Sequence, residues 1–189
     1  VMFIKRKYAC FLLFITVWCL PEYGYSKVEK IHYRDWTECY RIYNDIAEVI
    51  VVAESGGRIL SYSRNGQNII YDNNDHDGKN LAEYQDDWFQ PDGGRFDWGP
   101  ERETENIHDL TYMGRYTANI VGPFTLQLTG TKDKLLGIRT VREFSLDSTS
   151  SHLRINNKMI NISDQVTDWF YWSRTLVKKG GKIILPLND

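Results

Sequence analysis

The sequence is poor in the residues that build cross-links, metal sites and phosphate-binding surfaces. Its 189 residues include 3 cysteines, 5 prolines and 4 histidines, and the formal net charge is −2. A near-neutral chain argues against nucleic-acid binding, which needs clustered lysine and arginine. The histidines are scattered, and the sequence has no HExxH, GxSxG, P-loop or dinucleotide-binding pattern. We therefore expect no metal, no cofactor and no nucleic-acid partner.

The first 26 residues have the pattern of a secretory signal peptide. A basic stretch at residues 5–7 precedes an apolar run at residues 8–20, and small residues at positions 24 and 26 allow cleavage before Lys27. The apolar run is short for a permanent membrane helix, although a membrane anchor is the alternative. We predict a signal peptide at residues 1–26 and one domain at residues 27–189. The mature protein would be periplasmic or secreted, with no membrane span.

Removal of this segment leaves a single cysteine. Cys10 and Cys19 lie in the predicted signal peptide, and Cys39 remains in the mature part. One cysteine cannot form an internal disulfide, so the fold is expected to depend on its apolar core.

Hydrophobic patterning predicts an all-β fold, an antiparallel β-sandwich. Residues 47–53 form a β-branched run typical of a buried strand, and Asn65-Gly66 is typical of a tight hairpin turn. Apolar and polar residues alternate over 124–129, as in a strand with one buried face. No segment has the periodicity of a long helix. Further strands are predicted at residues 58–63, 138–146, 152–162, 170–177 and 183–185, with a bulge or turn at Asn156-Asn157.

Residues 73–105 interrupt the strand pattern and predict a long loop. A loop of this length inside a compact domain is usually functional or disordered, and disordered segments are poor in the aromatics found here. The segment contains an aromatic ring, a guanidinium group and carboxylates. This combination suits a sugar, because the ring can pack against the C–H face and the charged groups can hydrogen-bond to the hydroxyls. The alternative is a turn held by an internal arginine–carboxylate pair. The candidate side chains follow the flexible pair Gly93-Gly94 and are Arg95, Asp97, Trp98 and Glu101.

A second candidate region lies in the predicted strand at residues 170–177. Trp172 and Arg174 share one face of that strand. An arginine beside a tryptophan suits a binding cleft, and stacking of the two on the protein surface is the alternative. Glu101 and His108 are the candidate catalytic groups. We predict that separate segments converge to line one substrate-binding cleft with Arg95, Trp98, His108, Trp172 and Arg174.

In their order along the chain, several segments resemble the galactose mutarotase-like (aldose epimerase-like) superfamily, and in particular an exported bacterial branch of it. The matching segments are residues 55–59, 66–68 and 93–101, His108, and residues 143–146, 161–164 and 171–175. The resemblance implies a β-supersandwich fold and a carbohydrate partner. It also implies that His108 and Arg95 help to hold the sugar. Enzymes of that family interconvert sugar anomers with a glutamate base and a histidine acid.

Two departures from the family pattern bear on activity. Where the epimerases place their acid histidine, this chain has Tyr171-Trp172, and it ends at Asp189 before a counterpart of their base glutamate. The chain therefore resembles a C-terminally truncated member. We expect an exported carbohydrate-binding domain, with a sugar-modifying role in a full-length form. The alternatives are an aldose 1-epimerase-type isomerase and a noncatalytic envelope or accessory protein that contacts another protein.

Overall fold

The computed structural model describes residues 27–79, 93–100 and 109–182. This part of the chain forms two antiparallel sheets, so the predicted all-β sandwich is confirmed. None of the helices in these ranges has the length and hydrophobicity needed to cross a membrane. The predicted signal peptide and the predicted strand at residues 183–185 lie outside the described residues. The elements are β1 Val28–Tyr33, β2 Trp36–Tyr43, β3 Ala47–Val52, β4 Ile59–Arg64, β5 Gln67–Asn68, a 3-10 turn Asn74–His76, β6 Gly94–Gly99, α1 Asp109–Tyr112, β7 Tyr116–Gly122, β8 Thr125–Gly130, β9 Ile138–Leu146, β10 Leu153–Asn161 and β11 Phe170–Thr175.

The larger sheet has the order β1-β2-β3-β4-β6-β11, with β5 paired to β4, and the smaller sheet has the order β10-β9-β8-β7. The sheets pack face to face because alternate residues of their strands are apolar. Val49 and Val51 of the larger sheet share a buried cluster with Leu126, Leu128 and Phe144 of the smaller sheet. Burial of this apolar area is the main driving force for docking the two sheets.

Most predicted strands are confirmed close to their expected limits. Strand β9 follows the prediction for residues 138–146, and its residues alternate between buried and half-buried along the whole length. The hairpin between β4 and β5 turns at Asn65 and Gly66, whose φ angles are 52° and 73°. Both values lie in the left-handed region, which asparagine and glycine tolerate better than other residues.

The predicted bulge at Asn156-Asn157 is wrong. Strand β10 pairs with β9 residue by residue, from Leu153 opposite Leu146 to Asn161 opposite Ile138. The change in hydrophobic parity has a different cause. Strand β10 is an edge strand that is partly exposed on both faces, so an apolar residue can lie on either side.

The prediction of a continuous loop at residues 73–105 is also wrong, because Gly94–Gly99 forms β6. This strand lies between β4 and β11, and all six of its residues are buried. Its glycines are explained by close packing rather than by a strained turn. A Cβ on Gly94 would lie 2.3 Å from Cβ of Ile59, and one on Gly93 would lie 1.8 Å from the carbonyl oxygen of Leu176. Glycine is needed where neighbouring backbones approach so closely.

Candidate functional site

The pairing of β6 with β11 brings together three of the predicted site residues. Arg174 lies opposite Arg95, and Trp172 lies opposite Asp97. Directly opposite residues of an antiparallel ladder project to the same face. That face points away from the smaller sheet, because the alternate β6 residue Phe96 packs toward the smaller sheet. We call it the outer face.

Tyr112 of α1 contacts Arg95 on this face. Nη1 of Arg95 donates a hydrogen bond to the Tyr112 hydroxyl at 2.6 Å. Burial raises the pKa of Tyr112, an effect opposed by Arg95 and Arg174 and reinforced by Asp97. Because its pKa is raised, the phenol stays protonated at neutral pH. We define the outer-face cluster as Arg95, Asp97, Tyr112, Trp172 and Arg174.

The members of the outer-face cluster differ in accessibility. Arg95 and Asp97 are 8% and 4% exposed, whereas Trp172 and Arg174 are half-buried. The Arg174 guanidinium lies 4.4 Å from the centroid of the Trp172 ring, in stacking range. Phe170, on the same face two residues before Trp172, is 54% exposed. A ligand arriving from solvent would therefore have more access to Trp172 and Arg174 than to their cross-strand neighbours Asp97 and Arg95.

Two like charges directly opposite each other in a ladder, as in Arg95 and Arg174, repel each other. Asp97 is a carboxylate on the same face, two residues from Arg95 along β6, opposite Trp172 and diagonal to Arg174. One of its carboxylate oxygens accepts the backbone N–H of Trp98 at 2.8 Å, which fixes the side chain close to its own strand.

Trp98 is not part of the outer-face cluster. It lies on the opposite face of β6, 4% exposed, and packs with Leu136 and Ile138 between the sheets. Its indole N–H donates to Oγ1 of Thr140 at 2.9 Å, and its ring meets that of Phe96 edge to face at 4.9 Å. The structure thus separates Trp98 from Arg95, Trp172 and Arg174. The other predicted site residues, Glu101 and His108, lie outside the described residues.

Sequence reasoning also missed a buried cation between the sheets. Arg142 of β9 is 2% exposed. Its Nη1 donates to the carbonyl of Gly57 at 2.6 Å, and its Nε donates to Oδ1 of Asn157 at 3.0 Å. The guanidinium lies 4.7 Å and 5.0 Å from the ring centroids of Phe96 and Phe144. Burial lowers its pKa to about 10. The burial of Arg142 could have been predicted from the alternation of β9, because residue 142 lies on the same face as the buried residues Ile138, Phe144 and Leu146.

The contribution of Tyr112 could not have been predicted in the same way, because it lies on a four-residue helix that is too short to show a periodic pattern.

Within residues 27–79, 93–100 and 109–182, no group of three or more histidine, cysteine, aspartate or glutamate side chains is placed to hold a metal ion. Cys39 is buried and is not in a disulfide.

Comparison of the chain with protein-family models, with curated proteins and with solved structures finds no match. The resemblance to the galactose mutarotase-like superfamily therefore remains a prediction.

Proposed function

We propose that the chain is an exported carbohydrate-binding domain of mutarotase-like fold and that the outer-face cluster holds the sugar. The observation that supports this is the cross-strand placement of Trp172 and Arg174 directly beside Asp97 and Arg95 on one face of the sheet. A sugar ring has an apolar C–H face and an edge of hydroxyl groups. An indole ring packs against the first, and a planar guanidinium can donate to two neighbouring hydroxyls at once.

The accessible members of the cluster carry the affinity in this proposal. Trp172 supplies the stacking surface, and Arg174 supplies hydrogen-bond donors that its contact with the Trp172 ring holds in place. Arg95 acts as a supporting residue because it is 8% exposed and its Nη1 donates to Tyr112. Substitution of Arg95 is therefore expected to lower stability as well as binding, so it is a poor test of ligand contact.

Saturation-transfer NMR with D-galactose, D-glucose and D-galacturonate tests the proposal, with calorimetry on any sugar that binds. We expect Trp172→Ala to weaken binding about tenfold or more, equivalent to about 1.4 kcal/mol. Arg174→Lys keeps the charge and removes the planar fork, so a loss of similar size is expected. The matched control is Arg154→Ala, which removes an exposed arginine from β10 in the other sheet and should leave affinity unchanged.

Circular dichroism of each variant separates loss of binding from loss of fold. A folded protein that binds none of these sugars at millimolar concentration would refute the proposal and favour the envelope or accessory alternative. Polarimetry of freshly dissolved α-D-galactose tests the isomerase alternative. We expect anomer equilibration at the rate seen in buffer, and a faster rate would favour the isomerase.

A further inference from the structure

In the part of the chain that the structure describes, strand β11 has a partner strand on one edge and none on the other. Within the described residues it pairs with β6 alone. Leu176, which continues β11, donates its N–H to the Gly93 carbonyl at 2.9 Å on the paired side. Because backbone direction alternates along a strand, the N–H and C=O groups of Tyr171, Ser173 and Thr175 point to the open side. No partner for these groups occurs in the described part of the chain.

Side chains on both faces of β11 are exposed beside this open edge. Phe170 is 54% exposed and Tyr171 is 48% exposed, and Ser173 and Thr175 are exposed as well. Aromatic and hydroxyl-bearing residues of this kind favour strand pairing. An exposed edge with apolar flanks is a template for a further strand.

The other edge strands carry features that oppose such pairing. Charged side chains and register shifts protect sheet edges from added strands. Strand β11 has one charged residue and pairs with β6 without a register shift. The protective features are Glu29 and Lys30 on β1, Arg154 and Lys158 on β10, and the shift between Ile120 and Gly122 on β7.

We propose that β11 pairs antiparallel with β11 of a second copy of this chain, about a two-fold axis at Ser173. A two-fold interface must be self-complementary. In this register Ser173 lies opposite Ser173 of the second copy, and the outward backbone groups of Tyr171 meet those of Thr175. Trp172 lies opposite Arg174, which repeats between copies the contact seen within one chain at 4.4 Å. A register with Arg174 opposite Arg174 is disfavoured by like charge.

This arrangement joins the two larger sheets edge to edge. The two-fold axis of an antiparallel pair is perpendicular to the sheet, so both outer-face clusters point to the same side. In the dimer, Trp172 and Arg174 of the two copies meet on the outer face, and Tyr171, Ser173 and Thr175 meet on the other face. Substitutions at Ser173 and Thr175 therefore test the dimer without changing any side chain of the outer-face cluster.

Sedimentation and light scattering of the 189-residue chain over a range of concentrations test the proposal. We expect a dimer that dissociates on dilution. Ser173→Lys places two ammonium groups across the axis, and Thr175→Lys adds charge beside Tyr171, so each should weaken the dimer about tenfold or more. The matched control is Thr117→Lys, which adds the same charge at an exposed position of edge strand β7 and should leave the dimer intact.

A cysteine at the axis tests the register. In a background with Cys10→Ser and Cys19→Ser, Ser173→Cys should form a disulfide-linked dimer on mild oxidation. Residues opposite each other in a hydrogen-bonded pair have Cα atoms about 5.5 Å apart, within the range of a disulfide. Thr117→Cys should stay monomeric in denaturing gels. A wild-type monomer at every concentration, or a dimer that persists in both lysine variants, overturns the proposal. Circular dichroism confirms that each variant is folded.

Discussion

The change Thr140→Val removes the hydroxyl that accepts the indole N–H of Trp98 at 2.9 Å and keeps the size of the side chain. Thr140 is 3% exposed and Trp98 is 4% exposed, so water cannot readily replace the lost acceptor. A buried donor left without a partner costs about 1–3 kcal/mol, and we expect a loss of about 2 kcal/mol in the free energy of unfolding. In a thermal melt this corresponds to a fall of about 4–8 °C in Tm.

Urea unfolding of the wild type, Thr140→Val, Trp98→Phe and the double variant isolates the pair. Both single changes break the same hydrogen bond, so we expect a coupling energy of about 1–2 kcal/mol. Thr140→Ser is the control, since it keeps the hydroxyl and loses one buried methyl group, which costs about 0.8 kcal/mol. If the two single-variant changes in unfolding free energy sum to the double-variant change within about 0.5 kcal/mol, a stabilising hydrogen bond between the sheets is refuted. Trp98→Phe should also leave sugar affinity unchanged, because Trp98 lies away from the outer-face cluster.

Two further predictions concern close packing and the buried thiol. Gly94→Ala should destabilise the fold by about 3 kcal/mol or more in urea unfolding, because its Cβ would lie 2.3 Å from Cβ of Ile59. Gly181→Ala, which adds a Cβ in open space, is the control and should be close to neutral; equal effects would contradict the packing argument. Burial raises the pKa of the Cys39 thiol to about 12. The native thiol should therefore resist iodoacetamide near pH 8 and react in urea, as peptide mapping can show. Since the unfolded thiol ionises near its ordinary value of 9.0, its burial makes stability fall as pH rises from 9.0 toward 12. Cys39→Ala should reduce that fall, and labelling of native Cys39 at the rate of the unfolded chain would count against this burial.

Strands with strict alternation could be predicted from sequence almost to the residue. Strand β9 is an example, because one of its faces packs between the sheets and the other is half-buried. Strand β6 escaped prediction although Arg95, Phe96, Asp97 and Trp98 alternate in the same way. The neighbouring glycines and charges favoured a loop. The structure shows that glycine gives room for close strands here, while Tyr112 meets Arg95 on the outer face.

The same reasoning explains how much of the candidate site could be predicted. Arg95, Trp172 and Arg174 were identified from residue type, but the face on which each lies depends on the strand register. Trp98 was assigned to the cleft because β6 was taken for a loop, in which alternation does not separate faces. Strands β1, β2 and β7 were not predicted, since Glu29 and Lys30 interrupt the apolar pattern of β1 and β7 has several exposed residues.

The position of Arg142 has a consequence for how the two sheets align with each other. Its hydrogen-bond acceptors come from the turn before β4 and from β10, and the Phe96 ring beneath it comes from β6. Each sheet alone supplies only part of this set. A sheet pair that closes out of alignment would carry an unmatched cation into an apolar space, which costs several kcal/mol. The buried guanidinium therefore favours one alignment of the two sheets. Slipped alignments could bury a similar apolar area, but they would leave the Arg142 guanidinium without its hydrogen-bond acceptors.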